Sequence, residues 1–181
     1  LQNQGDATFT KGDVLPSSSF TRIVMTVADL DLDGDMDIIE GDRPLRINLN
    51  ESTGHFSAPR NIGTHTIQIQ NVVVGDWDMD GDTDIAINDY KGGLSLLFNV
   101  GALTFTPPAT IATVGIGSIR VADIDADGDQ DIIVAGATVS IFRNSGDGSF
   151  VRTAESAAVS AIGCVIDDLN RDGNLDVIVA S

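Results

Sequence analysis

The stretch Asp76-Trp77-Asp78-Met79-Asp80-Gly81-Asp82-Thr83-Asp84 decides how the rest of the chain reads. Carboxylates stand at its positions 1, 3, 5 and 9, and Gly81 stands at position 6. Two carboxylates about 4 Å apart repel by roughly 4 kcal/mol at an effective dielectric near 20. Charge packed this densely calls for a cation. Every side-chain donor is a hard oxygen, with no His or Cys interleaved. That donor set fits Ca²⁺ better than zinc or copper. The glycine permits the sharp turn that wraps a chain around an ion.

The stretch has three further copies, at 29–37, 123–131 and 168–176, with starts separated by 47, 47 and 45 residues. A fixed period of this size marks a propeller, a solenoid or an array. The loops are not EF-hands, which need flanking helices and a bidentate Glu at position 12. Position 12 holds Glu40, Ile87, Val134 and Val179. The flanks read as strands: Ile23 to Val27 before the first loop and Asp37 to Ile39 after it, then Val72 to Val74 and Ile85 to Ile87 around the second.

A second motif accompanies the first. An Asn is followed six residues later by a Phe across glycine-bearing turns: Asn3 to Phe9, Asn50 to Phe56, Asn99 to Phe105 and Asn144 to Phe150. This is hairpin chemistry, with the Phe returning to the core. Between loop and hairpin runs one more alternating strand, such as Leu45 to Leu49 or Leu94 to Phe98. Each unit therefore has four short antiparallel strands, the content of a propeller blade. A two-sheet sandwich matches the strand count but not the recurrence of one loop in every unit. The start of the chain supplies strands three and four of a unit, and the end supplies strands one and two, Cys164 to Ala180. The expected architecture is all-β: one domain, residues 1–181, a β-propeller of four four-stranded blades with one blade shared by the termini. Eight blades from two chains, or a segment of a seven-bladed ring, would use the same repeats.

At 181 residues the chain can bury about 70% of its unfolded surface. A hydrophobic share of 42% with 20% charged residues reads as globular. No apolar run is long enough for a transmembrane helix, and no secretory signal is present. The chain begins at Leu1, as expected of a processed form or a segment. Net charge is −17, and fifteen of the sixteen residues at loop positions 1, 3, 5 and 9 are Asp. Four divalent cations, eight positive charges, would bring the total to −9. Such acidity argues against nucleic acid or an anionic membrane as a partner. The single Cys164 aligns with Met25, Val72 and Ile119, and reads as a small buried apolar residue.

These loops and hairpins resemble the FG-GAP/VCBS repeat family, the type found in the integrin α-chain propeller and some fungal lectins. The resemblance covers nearly the whole chain. It implies a β-propeller with one Ca²⁺ per loop, four in all. It places the ligands at Asp29, Asp31, Asp33 and Asp37; at Asp76, Asp78, Asp80 and Asp84; at Asp123, Asp125, Asp127 and Asp131; and at Asp168, Asn170, Asp172 and Asp176. Position 7 adds a backbone carbonyl from Asp35, Asp82, Asp129 and Asn174. The two Asn replacements make the fourth site less charged and, on that reading, weaker.

Catalysis finds little support. His55 and His65 lack a matched nucleophile or metal partner, and no glycine-rich phosphate loop opens a helix. The expected function is a non-catalytic, extracellular or cell-surface binding and adhesion module for a glycan or a protein. Its ligand face would be formed by the connectors and short turns opposite the acidic loops, where Tyr90 sits in a turn with Lys91 and Arg43 in the equivalent turn of the first repeat. Trp77 is expected to pack beside its loop. The alternative is a structural subunit that self-associates in a surface layer, adhesin or filament, for which the small residues Ala157, Ala158, Ser160 and Ala161 would suit close packing. Asn50-Glu51-Ser52 matches a glycosylation acceptor, a short and weak motif.

Overall fold

Apolar residues recur at every second position in short runs broken by glycine-bearing turns, a period that pleats into strands. The computed structural model accordingly contains sixteen strands and no helix among the described residues. The structure describes residues 1–12, 14–15, 24–41, 43–52, 54–63, 66–156 and 160–181. Ile23, His65, Ala157 and Ala158, singled out above, lie outside the described residues.

Three units fold as four-stranded antiparallel sheets in chain order. The first comprises β3 (Val24–Ala28), β4 (Asp37–Gly41), β5 (Leu45–Asn48) and β6 (Arg60–Ile62). The second comprises β7 (Ile69–Gly75), β8 (Asp84–Asp89), β9 (Gly93–Leu97) and β10 (Ala109–Thr113). The third comprises β11 (Ser118–Ala122), β12 (Asp131–Ala135), β13 (Val139–Asn144) and β14 (Phe150–Glu155). Each acidic loop joins the first two strands of its sheet, and each Asn-to-Phe turn joins the last two. The Asn and Phe face one another across the hairpin in every copy: Asn3 with Phe9, Asn50 with Phe56, Asn99 with Phe105, Asn144 with Phe150. Sequential four-stranded sheets packed face to face are blades, which excludes the two-sheet sandwich.

The core lies between blades. Val72, Val74, Ile85, Ile87 and Leu97 of the second blade meet Ala28, Ile39, Leu45 and Ile47 of the first. Ile119, Ile132, Val134 and Phe142 of the third meet Ala86, Leu94 and Leu96 of the second. Cys164, Val177 and Val179 then pack on Ala135 and Val139 of the third. Fully burying one such aliphatic chain stabilises the fold by about 1.5–3 kcal/mol. The same sequence position therefore faces the preceding blade at Val72, Ile119 and Cys164.

That rule explains two departures from expectation. Cys164, Val72 and Ile119 are buried, but the equivalent Met25 is 63% exposed. Among the described residues no four-stranded sheet packs on the leading face of the first blade, and Met25 stands uncovered there. Phe9 is likewise 57% exposed where a core position was expected, whereas Phe56, Phe105 and Phe150 are half-buried. The hairpin of β1 (Gln2–Asn3) and β2 (Phe9–Thr10) forms its own two-stranded sheet. So does the pair of β15 (Gly163–Asp167) and β16 (Asp176–Ala180). The two half-units carry the expected complementary strands, but in this structure they remain separate sheets and do not form one shared blade.

On the leading face of the first blade, Glu40 accepts from Arg46 Nη2 and, at 3.1 Å, from Asn48 Nδ2. The one loop with Glu at position 12 thus uses that carboxylate in its sheet, as expected of a loop that is not an EF-hand.

Candidate metal centres

All four loops share one backbone path. The residue at position 4 takes a left-handed conformation (Leu32, Met79, Ala126 and Arg171, φ 56–62°), and so does the glycine at position 6 (Gly34, Gly81, Gly128 and Gly173, φ 90–100°). These two reversals fold the chain back so that amide N–H groups point at the acidic side chains. The position-6 N–H donates to position 1: Gly34 to Asp29, Gly81 to Asp76, Gly128 to Asp123 and Gly173 to Asp168, at 2.9–3.1 Å. The position-7 N–H donates to position 5: Asp35 to Asp33, Asp82 to Asp80, Asp129 to Asp127 and Asn174 to Asp172, at 2.8–3.0 Å.

The geometry brings three carboxylate triplets together. Asp29, Asp31 and Asp33 place ligand oxygens within 4.8 Å of one another, as do Asp76, Asp78 and Asp84, and Asp123, Asp125 and Asp127. The loops are not equivalent. In the second, Asp76 Oδ1 and Asp78 Oδ1 are buried and have no hydrogen-bond partner. Buried carboxylate oxygens without a donor are costly unless a cation meets them, so the residues present fit a divalent ion there. In the fourth loop Asn170 Nδ2 and Asn174 Nδ2 donate to the two oxygens of Asp172 at 3.0 and 2.9 Å. In the third, Arg143 pairs with Asp125 and, at 3.2 Å, with Asp127.

Position 9 does more than offer a ligand. Asp37, Asp84 and Asp131 are fully buried. One oxygen of each accepts the N–H of loop position 2 (Leu30, Trp77, Ile124) at 2.9–3.1 Å. The other accepts the N–H of the hairpin Asn (Asn50, Asn99, Asn144) at 2.8 Å. Each carboxylate buckles its loop to the hairpin of the same blade. Asp176 makes the first of these bonds, to Leu169 N at 3.1 Å. Burial pushes the Asp84 carboxyl up to about 6, against the opposing pull of the Asn99 and Trp77 amides. Burial also raises Asp131. Desolvation and neighbouring carboxylates raise Asp31 and Asp78.

A contact the sequence reading missed joins the first and second loops to the blade that follows each. Trp77 is fully buried, edge-on to Phe150 at 6.2 Å and 76°. Its carbonyl accepts Gly148 N at 2.9 Å and Asn144 Nδ2 at 3.0 Å. The hairpin of the third blade therefore caps the loop of the second. Leu30 of the first loop is 1% exposed and shares a core with Leu103 and Phe105 of the second blade's hairpin. The signal was present in the sequence, since position 2 is apolar in every copy: Leu30, Trp77, Ile124 and Leu169. Leu169, with no following hairpin upon it, is 62% exposed.

On the opposite face, Asp89 Oδ1 accepts the N–H groups of Lys91 and Gly93, which closes the Asp89–Gly93 turn. Lys91, Arg43 and His55 are exposed there or in the hairpin, and Tyr90 is half-buried. A cleft of about 270 Å³ opens where the first strands begin, lined by Gln70, Asn71, Ile116, Ser118 and Ile162 among others. Asn71 Nδ2 donates to Gly117 O at 2.6 Å, and Gln70 Oε1 accepts Gly117 N at 3.2 Å, so two polar side chains clamp the next blade at the cleft wall. None of Arg43, Tyr90 and Lys91 lines it. In the glycosylation motif, the Asn50 side chain is engaged, accepting Gly54 N at 3.2 Å.

Repeated four-stranded blades with an acidic loop in each define a repeat protein of the β-propeller type. The chain belongs to the FG-GAP-like repeat family, whose pattern matches residues 76–134 and 123–179. Among solved structures it is similar to a lectin of Agrocybe aegerita that specifically recognises non-reducing terminal N-acetylglucosamine. The TM-score is 0.62 and the identity 23%, over 87% of this chain and 46% of the lectin. At that identity the likeness shows the fold, and this chain spans less than half the lectin's length. No curated protein matches the chain. No helix among the described residues is long and apolar enough to cross a membrane.

Proposed function

We propose that the chain is an extracellular, calcium-stabilised β-propeller module that binds a glycan or protein partner without catalysing a reaction. The observation that carries the calcium reading is the pair of buried, unpartnered oxygens on Asp76 and Asp78 inside a three-carboxylate cluster. Positions 1, 3, 5 and 9 of each loop would hold the ion, with the position-7 carbonyl. Calcium here ties loop to strand and neutralises repulsion; it is structural. Extracellular modules of this kind bind Ca²⁺ at about 10⁻⁴ to 10⁻³ M. The glycan part of the reading is supported by the family and by the fold shared with a lectin. The cleft at Gln70, Asn71 and Ile162 is the site we assign to the ligand; its apolar wall is isoleucine, not aromatic, which suits a protein side chain as well as a sugar face.

We further propose that β16 pairs with β1 to complete a fourth blade. Support comes from apolar residues that occupy repeat-equivalent core positions yet stand exposed, namely Met25, Phe9 and Leu169. A free edge beside such residues invites pairing. The same surplus of exposed apolar surface favours, as a second reading, pairing between copies in a self-associating structural subunit.

Calcium titration by calorimetry, glycan-array binding and particle mass by light scattering test these readings together. Calcium uptake, a glycan or protein ligand and a mass near 19.0 kDa are expected. An absence of calcium uptake removes the metal reading. Calcium-dependent particles of many chains, with no ligand, would replace the binding module with the structural subunit.

A further inference from the structure

The third loop differs from its siblings through a residue that lies outside it. Arg143 is on β13, at the position occupied by Leu49 in the first repeat and Phe98 in the second. Leu49 and Phe98 are half-buried and pack into the inter-blade cores. The Arg143 side chain instead reaches back to the acidic loop. Its Nη2 pairs with Asp125 Oδ2, and the same nitrogen lies 3.2 Å from Asp127 Oδ2. Those oxygens belong to positions 3 and 5, in the triplet with Asp123.

We propose that Arg143 is a tethered counter-cation of the third loop, competing with Ca²⁺ for Asp125 and Asp127 and holding that loop folded when calcium is scarce. The inference rests on the calcium reading of the loops given above. A guanidinium supplies one positive charge in a planar fork suited to carboxylates. It neutralises only part of the loop's charge, so it stabilises the empty loop without replacing a dication. To bind, Ca²⁺ must displace Nη2 from two ligand oxygens or accept a positive charge beside it. Loop affinity follows the net charge of the ligand set, so the tether lowers it. The companion loops lack this device: Leu49 and Phe98 carry no charge. In the second loop Asp76 Oδ1 and Asp78 Oδ1 have no hydrogen-bond partner among the described residues.

The test uses the whole chain and three variants. Arg143→Leu installs the residue that the first repeat carries. Arg143→Lys keeps the charge without the fork. Asp127→Asn identifies which calorimetric step belongs to the third loop, as the step it weakens. For Arg143→Leu the expected result is a rise of about tenfold or more in the calcium affinity of that step, with the other steps unchanged. Its melting temperature in chelator is expected to fall, because the repelling carboxylates lose their counter-ion. Arg143→Lys is expected to stay near the wild type on the calcium step. If Arg143→Leu changes neither the third step nor the melt in chelator, the inference is overturned while the calcium reading stands. If Lys and Leu raise the affinity equally, packing and not charge is responsible, and the inference is again overturned. If the wild-type chain takes up no calcium at any loop, the underlying reading falls and takes the inference with it.

Discussion

Replacing Trp77 by Ala should loosen the joint between the second and third blades more than any other single change in a loop. The side chain is fully buried and meets Phe150 edge-on at 6.2 Å. Truncating a buried Trp or Phe to Ala costs about 3–5 kcal/mol through lost transfer energy and the cavity left behind. The aromatic pair accounts for about 0.5–1.5 kcal/mol of that. For a chain of 181 residues the melting temperature should drop by about 6–20 °C, taking about 2–4 °C per kcal/mol. The assay is urea unfolding followed by circular dichroism in millimolar calcium, since Trp77 is the only tryptophan and the variant loses its fluorescence. Met79→Ala, in the same loop at 64% exposure, is the control and should stay within about 0.5 kcal/mol. Calcium stoichiometry should be unchanged, because the indole is not a ligand. A loss below about 1 kcal/mol, or equal losses for both variants, would refute the capped-loop geometry.

Three further outcomes follow from the same contacts. With calcium chelated, stability should decline as pH rises from about 4 to 7. The Asp84 carboxyl, pushed up to about 6 by burial, favours the protonated folded state, so its contribution is full below the ordinary carboxylate value and lost as pH passes through 6. The effect, about 3 kcal/mol, is read as the difference in slope between wild type and Asp84→Asn, and parallel slopes would refute it. In saturating calcium the dependence should reverse, since the ion competes with the proton. Asp84→Ala should cost about 2–5 kcal/mol even with calcium present, because it orphans the buried N–H groups of Trp77 and Asn99; Asp176→Ala, at a half-buried residue bonded to Leu169 N, should cost clearly less, and equal urea midpoints would deny the buckle. Leu169→Ala should cost about 2 kcal/mol or more if the proposed fourth blade closes and a hairpin covers it. A cost under about 0.5 kcal/mol at unchanged particle mass would mean the residue stays as exposed as it is here and would sink the closure.

What the sequence made legible was local. The Asp spacing, the position-6 glycine and the Asn-to-Phe separation each act within one repeat, and each appears in the structure where it was expected. What stayed hidden depends on which blade lies next to which. Met25 aligns with Val72, Ile119 and Cys164, and no property of the residue says that its face lacks a neighbour. Arg143 occupies a position that is apolar in the first two repeats, and its reach back to Asp125 and Asp127 could be seen only once β13 was placed beside its own loop. The apolar residue at position 2 was visible four times over, but a residue inside an acidic loop invites a reading in terms of the ion. Its part in holding the next blade is a matter of packing.

On the calcium reading, these contacts couple the ion to the packing of one blade on the next. A loop empty of cation holds repelling carboxylates, and relaxing them moves the backbone at position 2. That backbone is where the neighbouring hairpin attaches: the Trp77 carbonyl receives both Gly148 N and the Asn144 side chain. The Asn144 backbone N–H is in turn held by Asp131, which closes the third loop. Loop, hairpin and next loop therefore form one chain of hydrogen bonds from blade to blade. On the calcium reading, an ion lost at the second loop should be felt at the third before anything is felt at the exposed fourth. Hydrogen exchange at the Gly148 and Asn144 amides, measured as calcium is withdrawn, would show this order, and simultaneous loss of protection at Gly173 would show that the loops respond independently.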